Sequence, residues 1–256
     1  MNTILSIAGS DSGGGAGIQA DIKSSLYHNG FMTTAITAIT AQNTQGVQGV
    51  VALEPSFVEK QIQSVANDFD IKAVKIGMLG SPELIEVVKN YICKLDIPIV
   101  LDPVAISRAN AKLLDDSCIQ NLKGLFPYAT LITPNKYEAK EFFGVEQIED
   151  ILSCENYGTN ILFKDIEDNT DFAVDVLKTS DGKLEYFQTK RASDLNTHGT
   201  GCSYSASIAT LLSQNNNLKE VIKISKEYIY QAIKNAPNLG KGNGPIKHNL
   251  EGFTEI

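Results

Sequence analysis

Short β-rich runs alternate with stretches of helical periodicity along almost the whole chain, and this alternation restricts the fold more than any other feature. Parallel strands need a crossover between them, and a helix usually supplies it. Helices on both faces then bury the strands, which read as near-continuous apolar runs. The runs at 3–8, 33–41, 47–53, 73–76, 97–101, 130–133 and 161–164 fit such strands, and 172–177 with 184–189 fit a late β pair. Helices are predicted at 18–27, from Pro55 onward, and from Pro82 behind Ser81 as an N-cap. In the second of these, Phe57, Val58, Ile62, Val65, Ala66 and Phe69 recur at helical spacing. Two more helices, at 200–214 and 218–235, close the chain. No repeat, low-complexity tract or long linker interrupts it, so one α/β domain over 1–256 is expected.

The 256 residues are 43% hydrophobic, enough to bury one sizeable core. The net charge of −8 argues against a general nucleic-acid or anionic-membrane binder, since phosphates repel a diffusely acidic surface. The four cysteines form no C-x-x-C pair, and their sparse use fits a reducing compartment. The first residues carry no basic region, and no run approaches the roughly 20 apolar residues of a membrane span. A cytoplasmic protein is expected. His28, His198 and His248 lack metal-ligand spacing, and neither His-Glu-x-x-His nor Gly-x-Ser-x-Gly occurs.

In open α/β sheets, ligands bind beyond the carboxyl ends of the strands. Polar and glycine residues collect at those ends: the turn at 9–17, Gly77-Met78, Asp102-Pro103, and Asn135 to Glu138. The turn at 9–17 is no Walker A loop, because no Gly-Lys-Ser/Thr follows. The most informative stretch is Asn196-Thr197-His198-Gly199-Thr200-Gly201-Cys202-Ser203, directly before a helix. A glycine turn at a helix N-terminus aims unpaired N–H groups and the positive dipole end at an anion, as phosphoryl transfer requires. Spacing alone suits an ordinary helix cap equally well. Cys202 would feel the helix terminus, which favours its thiolate, and could serve as a base or a hydrogen-bonding group; a small buried hydrophobe is the plain alternative. Asp102 and Glu138, at neighbouring strand ends, could hold Mg²⁺ through waters, or be a turn aspartate and a helix-start acid. Asp21 reads alone as a solvated charge in the first helix.

Taken together, seven stretches resemble the hydroxymethylpyrimidine and phosphomethylpyrimidine kinases of thiamine biosynthesis. They are IAGSDSGGGAGIQADIK at 7–23, TAITAQN at 37–43, KIGML at 75–79, VLDPV at 100–104, LITPNKYEA at 131–139, NTHGTGCSYSA at 196–206 and GKGNGPIKH at 240–248. The resemblance implies a ribokinase-like three-layer sandwich with a mostly parallel central sheet and a small β flap. It implies ATP with Mg²⁺, a pyrimidine hydroxymethyl acceptor phosphorylated twice, and a homodimer. Gly9, Asp21, Gln42, Met78 and Val104 then match the pyrimidine site, and Gly199, Thr200, Gly201 and Cys202 the anion hole. Asn135, Glu138, Lys164 and Lys241 match positions near the nucleotide phosphates, metal or adenine. A pyridoxal kinase, or a binding protein that has lost its chemistry, are the competing readings. The chain departs from the family where Asp165-Ile166-Glu167 replaces the usual two glycines and histidine, where Arg108-Ala109-Asn110 replaces Lys-Ser-Gly, and where the segment 144–161 is short. An acid beside ATP phosphates is unfavourable unless it points away or binds metal.

Overall fold

The computed structural model describes residues 1–104, 116–167, 171–193 and 195–250. The Arg108-Ala109-Asn110 departure lies outside them. The strands are β1 (Asn2–Asp11), β2 (Gly30–Asn43), β3 (Gly46–Ala52), β4 (Ile71–Ile76), β5 (Ile99–Leu101), β6 (Leu131–Ile132), β7 (Asn160–Phe163), β8 (Phe172–Lys178) and β9 (Leu184–Lys190). The helices are α1 (Gly17–Tyr27), α2 (Pro55–Ala66), α3 (Pro82–Ile92), α4 (Asp116–Lys123), α5 (Lys136–Phe143), α6 (Ile148–Ile151), α7 (Thr200–Leu212) and α8 (Leu218–Lys234). All the strands read from the sequence form. α4 and the single turn α6 were not anticipated, and α6 falls in the segment expected to be short.

One sheet runs in the order β3-β2-β1-β4-β5-β6-β7-β8-β9. Pairing is parallel from β2 through β7 and antiparallel at both edges. Alternating side chains divide two cores between its faces. Leu5, Ile7, Val74, Ile76, Ile99, Leu101, Ile161 and Phe163 pack with residues of α2 to α5. Ile4, Ala73, Val100 and Leu162 pack on the other face with α7 and α8, and α1 lies against α7 on that side. Helices cover both faces, giving the three-layer sandwich.

Local chemistry sets the helix ends. The Ser81 side chain accepts from Leu84 N–H and Pro82 opens α3, as its sequence predicts. Asn135 and Glu138 form a reciprocal capping box on α5, which ends at Gly144 in the left-handed region. From Ser203 to its end α7 is buried on every side, so its hydroxyls need internal partners. Ser203 pairs with His248 at 2.9 Å, and Ser207 with His28 and Ser225, both at 2.7 Å.

β1 crosses over to β2 on one side, while β4, its neighbour on the other, crosses over to β5, so the connections diverge between β1 and β4 and open a crevice at their carboxyl ends. The β1–β2 register shifts between Ala8 and Ser10, a bulge that turns the strand end at Gly9. The second half of β2 and the edge strand β3 form an antiparallel flap beside the crevice.

Candidate active site

A cleft of about 1200 Å³ opens at the switch point. Its wall includes Gly9, Gln42, Met78 and Val104, together with Asn135, Glu138, Lys164, Asp102 and the 199–202 turn. Gly9 is required by close packing, since a Cβ there would meet the Met78 methyl at 2.7 Å. Thr37 Oγ1 donates to the Met78 carbonyl at 2.7 Å and fixes the residue's backbone. The Gln42 side chain shares a 3.2 Å hydrogen bond with Thr40 and stands 3.4 Å from His198 Nε2. An amide both donates and accepts, and an apolar Met lines the same cleft: the two suit a flat nitrogen heterocycle.

Gly199 is the N-cap of α7 at φ 82°. It must be glycine, because a Cβ would fall 1.7 Å from the Gly15 carbonyl oxygen. The Thr200 N–H donates to the Thr197 carbonyl at 3.2 Å and the Ser203 N–H to the Gly199 carbonyl at 2.9 Å; the N–H groups of Gly201 and Cys202 between them have no acceptor within the helix, the arrangement that suits an anion. Lys164 Nζ pairs with Asp102 Oδ1 at 2.8 Å. A Cβ at Gly201 would lie 3.4 Å from Lys164 Nζ and 3.6 Å from Asp102 Oδ2, so the pair abuts the turn. Burial opposes the charge on Lys164, but Asp102 and Glu138 outweigh it and hold the pKa above its ordinary value. Asp102 also accepts from Thr133 Oγ1 at 3.2 Å. Glu138, nearly sealed, accepts from the Asn135 N–H at 2.9 Å.

Three of the expected site residues differ from the rest in burial, place or charge. Asp21 is sealed and absent from the cleft wall. Lys75 Nζ donates to both its oxygens, at 2.9 and 3.0 Å, and Ser6 Oγ donates at 2.6 Å. Burial pushes the Asp21 carboxyl up, against the pull of Lys75 and Ser6. Lys75 is also pushed down by burial, but Asp21, Cys202 and Asp102 raise it above its ordinary value, so the proton stays on the lysine. Lys241 also lies outside the cleft wall; its backbone N–H donates to Thr44 Oγ1 at 3.2 Å, at the flap tip. Cys202 does line the cleft, but its thiol is pushed up to about 11. Burial is the main cause and outweighs Lys75 and the Gly17 N–H, so the expected thiolate gives way to a neutral thiol.

The altered segment after Lys164 has a clear structural answer. Asp165 adopts φ 46°, and its N–H donates to Asp175 Oδ1 at 2.9 Å. Arg191 at the end of β9 grips both its oxygens, at 2.9 and 2.8 Å. The acid feared beside phosphates is thus engaged by a guanidinium at the cleft rim.

Sequence reasoning passed over Lys75, Asp11, His198 and Arg191, all in the cleft wall. Lys75 carried a signal: a lysine between Val74 and Ile76 in an apolar strand must be paired to be buried.

A switch-point cleft, a glycine turn opening a buried helix and a lysine pair beside it define a phosphoryl-transfer enzyme of the ribokinase-like class. Residues 11–247 match the family model described as phosphomethylpyrimidine kinase. The hydroxymethylpyrimidine/phosphomethylpyrimidine kinase of Haemophilus influenzae is 38% identical, over 97% of both chains. The thiamine biosynthesis bifunctional protein ThiED of Geobacter sulfurreducens is 39% identical over 97% of this chain and 52% of its own length. The ADP complex of Bacillus subtilis pyridoxal kinase superposes with a TM-score of 0.84 at 30% identity, covering 97% of each chain. The chain belongs to the phosphomethylpyrimidine kinase family.

Proposed function

We propose that the protein transfers the γ-phosphoryl group of ATP to the hydroxymethyl oxygen of 4-amino-5-hydroxymethyl-2-methylpyrimidine, and then phosphorylates that monophosphate to the diphosphate, for thiamine biosynthesis. The observation that carries the reading is the 199–202 turn, which lines one cleft with Gln42 and Met78 and abuts the Lys164–Asp102 pair. In each transfer a new O–P bond forms as the bond from the γ-phosphorus to the β-bridging oxygen breaks and ADP leaves; in the first, the acceptor hydroxyl's proton passes to water. Such a step needs placement and charge stabilisation more than covalent help. Gln42 reads the ring edge, Met78 and Val104 pack on the ring, and the turn's N–H groups with Lys164 stabilise charge on the transferring oxygens. Cys202, a neutral thiol at pH 7, contributes a hydrogen bond to the reacting oxygens rather than a preformed base.

Mg²⁺ is held by one or two carboxylates together with substrate phosphates and waters. Asp102 and Glu138 supply that donor set in the same wall; the ion would neutralise phosphate charge. Asn135 lies beside them. No helix among the described residues is long and apolar enough to cross a membrane, and we place the protein in the cytoplasm. We also propose a homodimer, supported by the exposed Val50 and Val51 on edge strand β3 and Ile39 on β2.

The likeness to a pyridoxal kinase supports a second reading, a vitamin B6 kinase, since pyridoxal also offers a hydroxymethyl group on a flat nitrogen ring. ADP release with Mg-ATP and, in parallel, the hydroxymethylpyrimidine, its monophosphate and pyridoxal, with products identified by mass, separates them. Turnover of both pyrimidines with pyridoxal slower is the expected result. Pyridoxal preferred moves the reading to B6 salvage, and binding without turnover reduces it to a pyrimidine-binding protein.

A further inference from the structure

Several segments meet at one imidazole. His198 lies in the turn before α7, and its Nε2 is 2.8 Å from Asp11 Oδ2 and 3.4 Å from the Gln42 amide nitrogen. Asp11, at the end of β1, is nearly sealed. It accepts from the N–H groups of Gly13 at 2.8 Å, Gly15 at 3.0 Å and Ala16 at 2.8 Å, so one carboxylate shapes the whole 9–17 turn. The His198 ring packs so closely on Gly15 that a Cβ there would sit 2.5 Å from its Cδ2. The His198 N–H donates to the Gly244 carbonyl at 3.1 Å. The next residue, Gly199, rests on the Gly15 carbonyl and begins the anion turn.

Phosphoryl transfer gives an imidazole in this place no obvious chemical task. Its contacts instead form a short chain: the Gln42 amide packed against the ring, the Nε2–H donated to Asp11, the N–H groups at 13–16, the Gly15 carbonyl, and Gly199. We infer that His198 is a positioning residue that couples the ring-reading amide of Gln42 to the placement of the 199–202 turn. Fixing Gln42 against a ligand fixes the imidazole, and the imidazole with Asp11 holds the surface on which Gly199 rests. Acceptor recognition and assembly of the anion site are thereby one event. The proposal deepens the reading of the cleft given above and rests on it for its kinetic part.

Two measurements test it. Amide hydrogen exchange needs no substrate. His198→Ala is expected to speed exchange at Gly13, Gly15 and Ala16 and also at Thr200 and Ser203, whose N–H groups donate to the Thr197 and Gly199 carbonyls, while His198→Gln, which returns an N–H donor toward Asp11, restores protection in both segments. In turnover with the hydroxymethylpyrimidine and Mg-ATP, His198→Ala is expected to lower kcat/KM for the acceptor on the order of tenfold to a hundredfold. KM for ATP should stay nearly unchanged, Gln42→Ala should add little on top of His198→Ala, and His198→Gln should recover most of the loss. Unchanged exchange at Thr200 and Ser203 in His198→Ala, or fully additive losses with Gln42→Ala, overturns the coupling. Absence of turnover in the parent protein counts against the proposed function alone, because the exchange experiment still decides the coupling.

Discussion

Two lysine–aspartate pairs, one sealed behind the cleft wall and one opening into the cleft, do opposite things. Lys75 and Asp21 are 2.9 Å apart with both side chains 0% exposed. Lys164 and Asp102 are 2.8 Å apart with side chains 12% and 4% exposed. The first joins β4 to α1 and has a hydroxyl from Ser6 on β1 as a further donor. The second lies against Gly201, where a transferring anion would sit. A sealed pair cannot change partners, so it serves as a pin between elements. A pair open to the cleft can trade its carboxylate for phosphate at small cost, so it serves chemistry. Chemical identity does not separate the two; access does.

The sharpest way to break this contrast is to remove each lysine. Lys75→Met leaves the Asp21 carboxylate buried without its cation. Removing one partner of a buried pair costs roughly 3–5 kcal/mol. Urea melts should show that loss, and Asp21→Leu added to Lys75→Met should recover most of it, since an apolar pair of similar volume needs no compensation. A melt unchanged by Lys75→Met would mean that Asp21 takes up a proton at little cost and that the pin is not ionic.

Lys164→Met should reverse the pattern. Asp102 keeps its hydrogen bond from Thr133 and opens onto cleft water, so stability should fall only by roughly 1–2 kcal/mol. Turnover should fall by about a hundredfold to a thousandfold, the usual loss when one donor to transition-state charge is removed. Equal losses of stability for the two lysines, measured side by side, would erase the distinction.

The same distinction explains what the sequence made legible. Strand alternation was plain because Ile4 and Leu5, or Val100 and Leu101, belong to different cores, and both cores demand apolar residues. Strand ends marked the cleft, and glycines marked the anion turn. Asp21 was misplaced as a cleft residue, although Ile18, Asp21 and Ser25 are spaced to share the inward face of α1. For Cys202 the thiolate option was legible because a helix terminus is visible in sequence, whereas the desolvation that raises the thiol is not. The Asp11–His198 contact spans 187 residues, and no local pattern announces it.

The smallest expected effect carries the contrast to the histidines. His28 and His248 are sealed, at 9% and 7% exposure, whereas His198 lines the cleft. Burial lowers the pKa of both sealed rings from 6.5 to about 4; for His248 the charge of Lys23 adds to it. In the unfolded chain each ring takes up its proton near 6.5. The unfolded state therefore binds more protons between pH 6.5 and 4, and stability present above that window is lost as pH falls through it. Each ring should cost on the order of 2 kcal/mol by pH 5. Urea melts at pH 7.5, 6 and 5 should show the fall, and His28→Gln, whose amide can still meet Ser207, should flatten it. An equal pH slope in parent and variant would mean that the pocket around Ser207 and Ser225 admits a charged ring, and that burial alone does not set the behaviour of titratable groups in this protein.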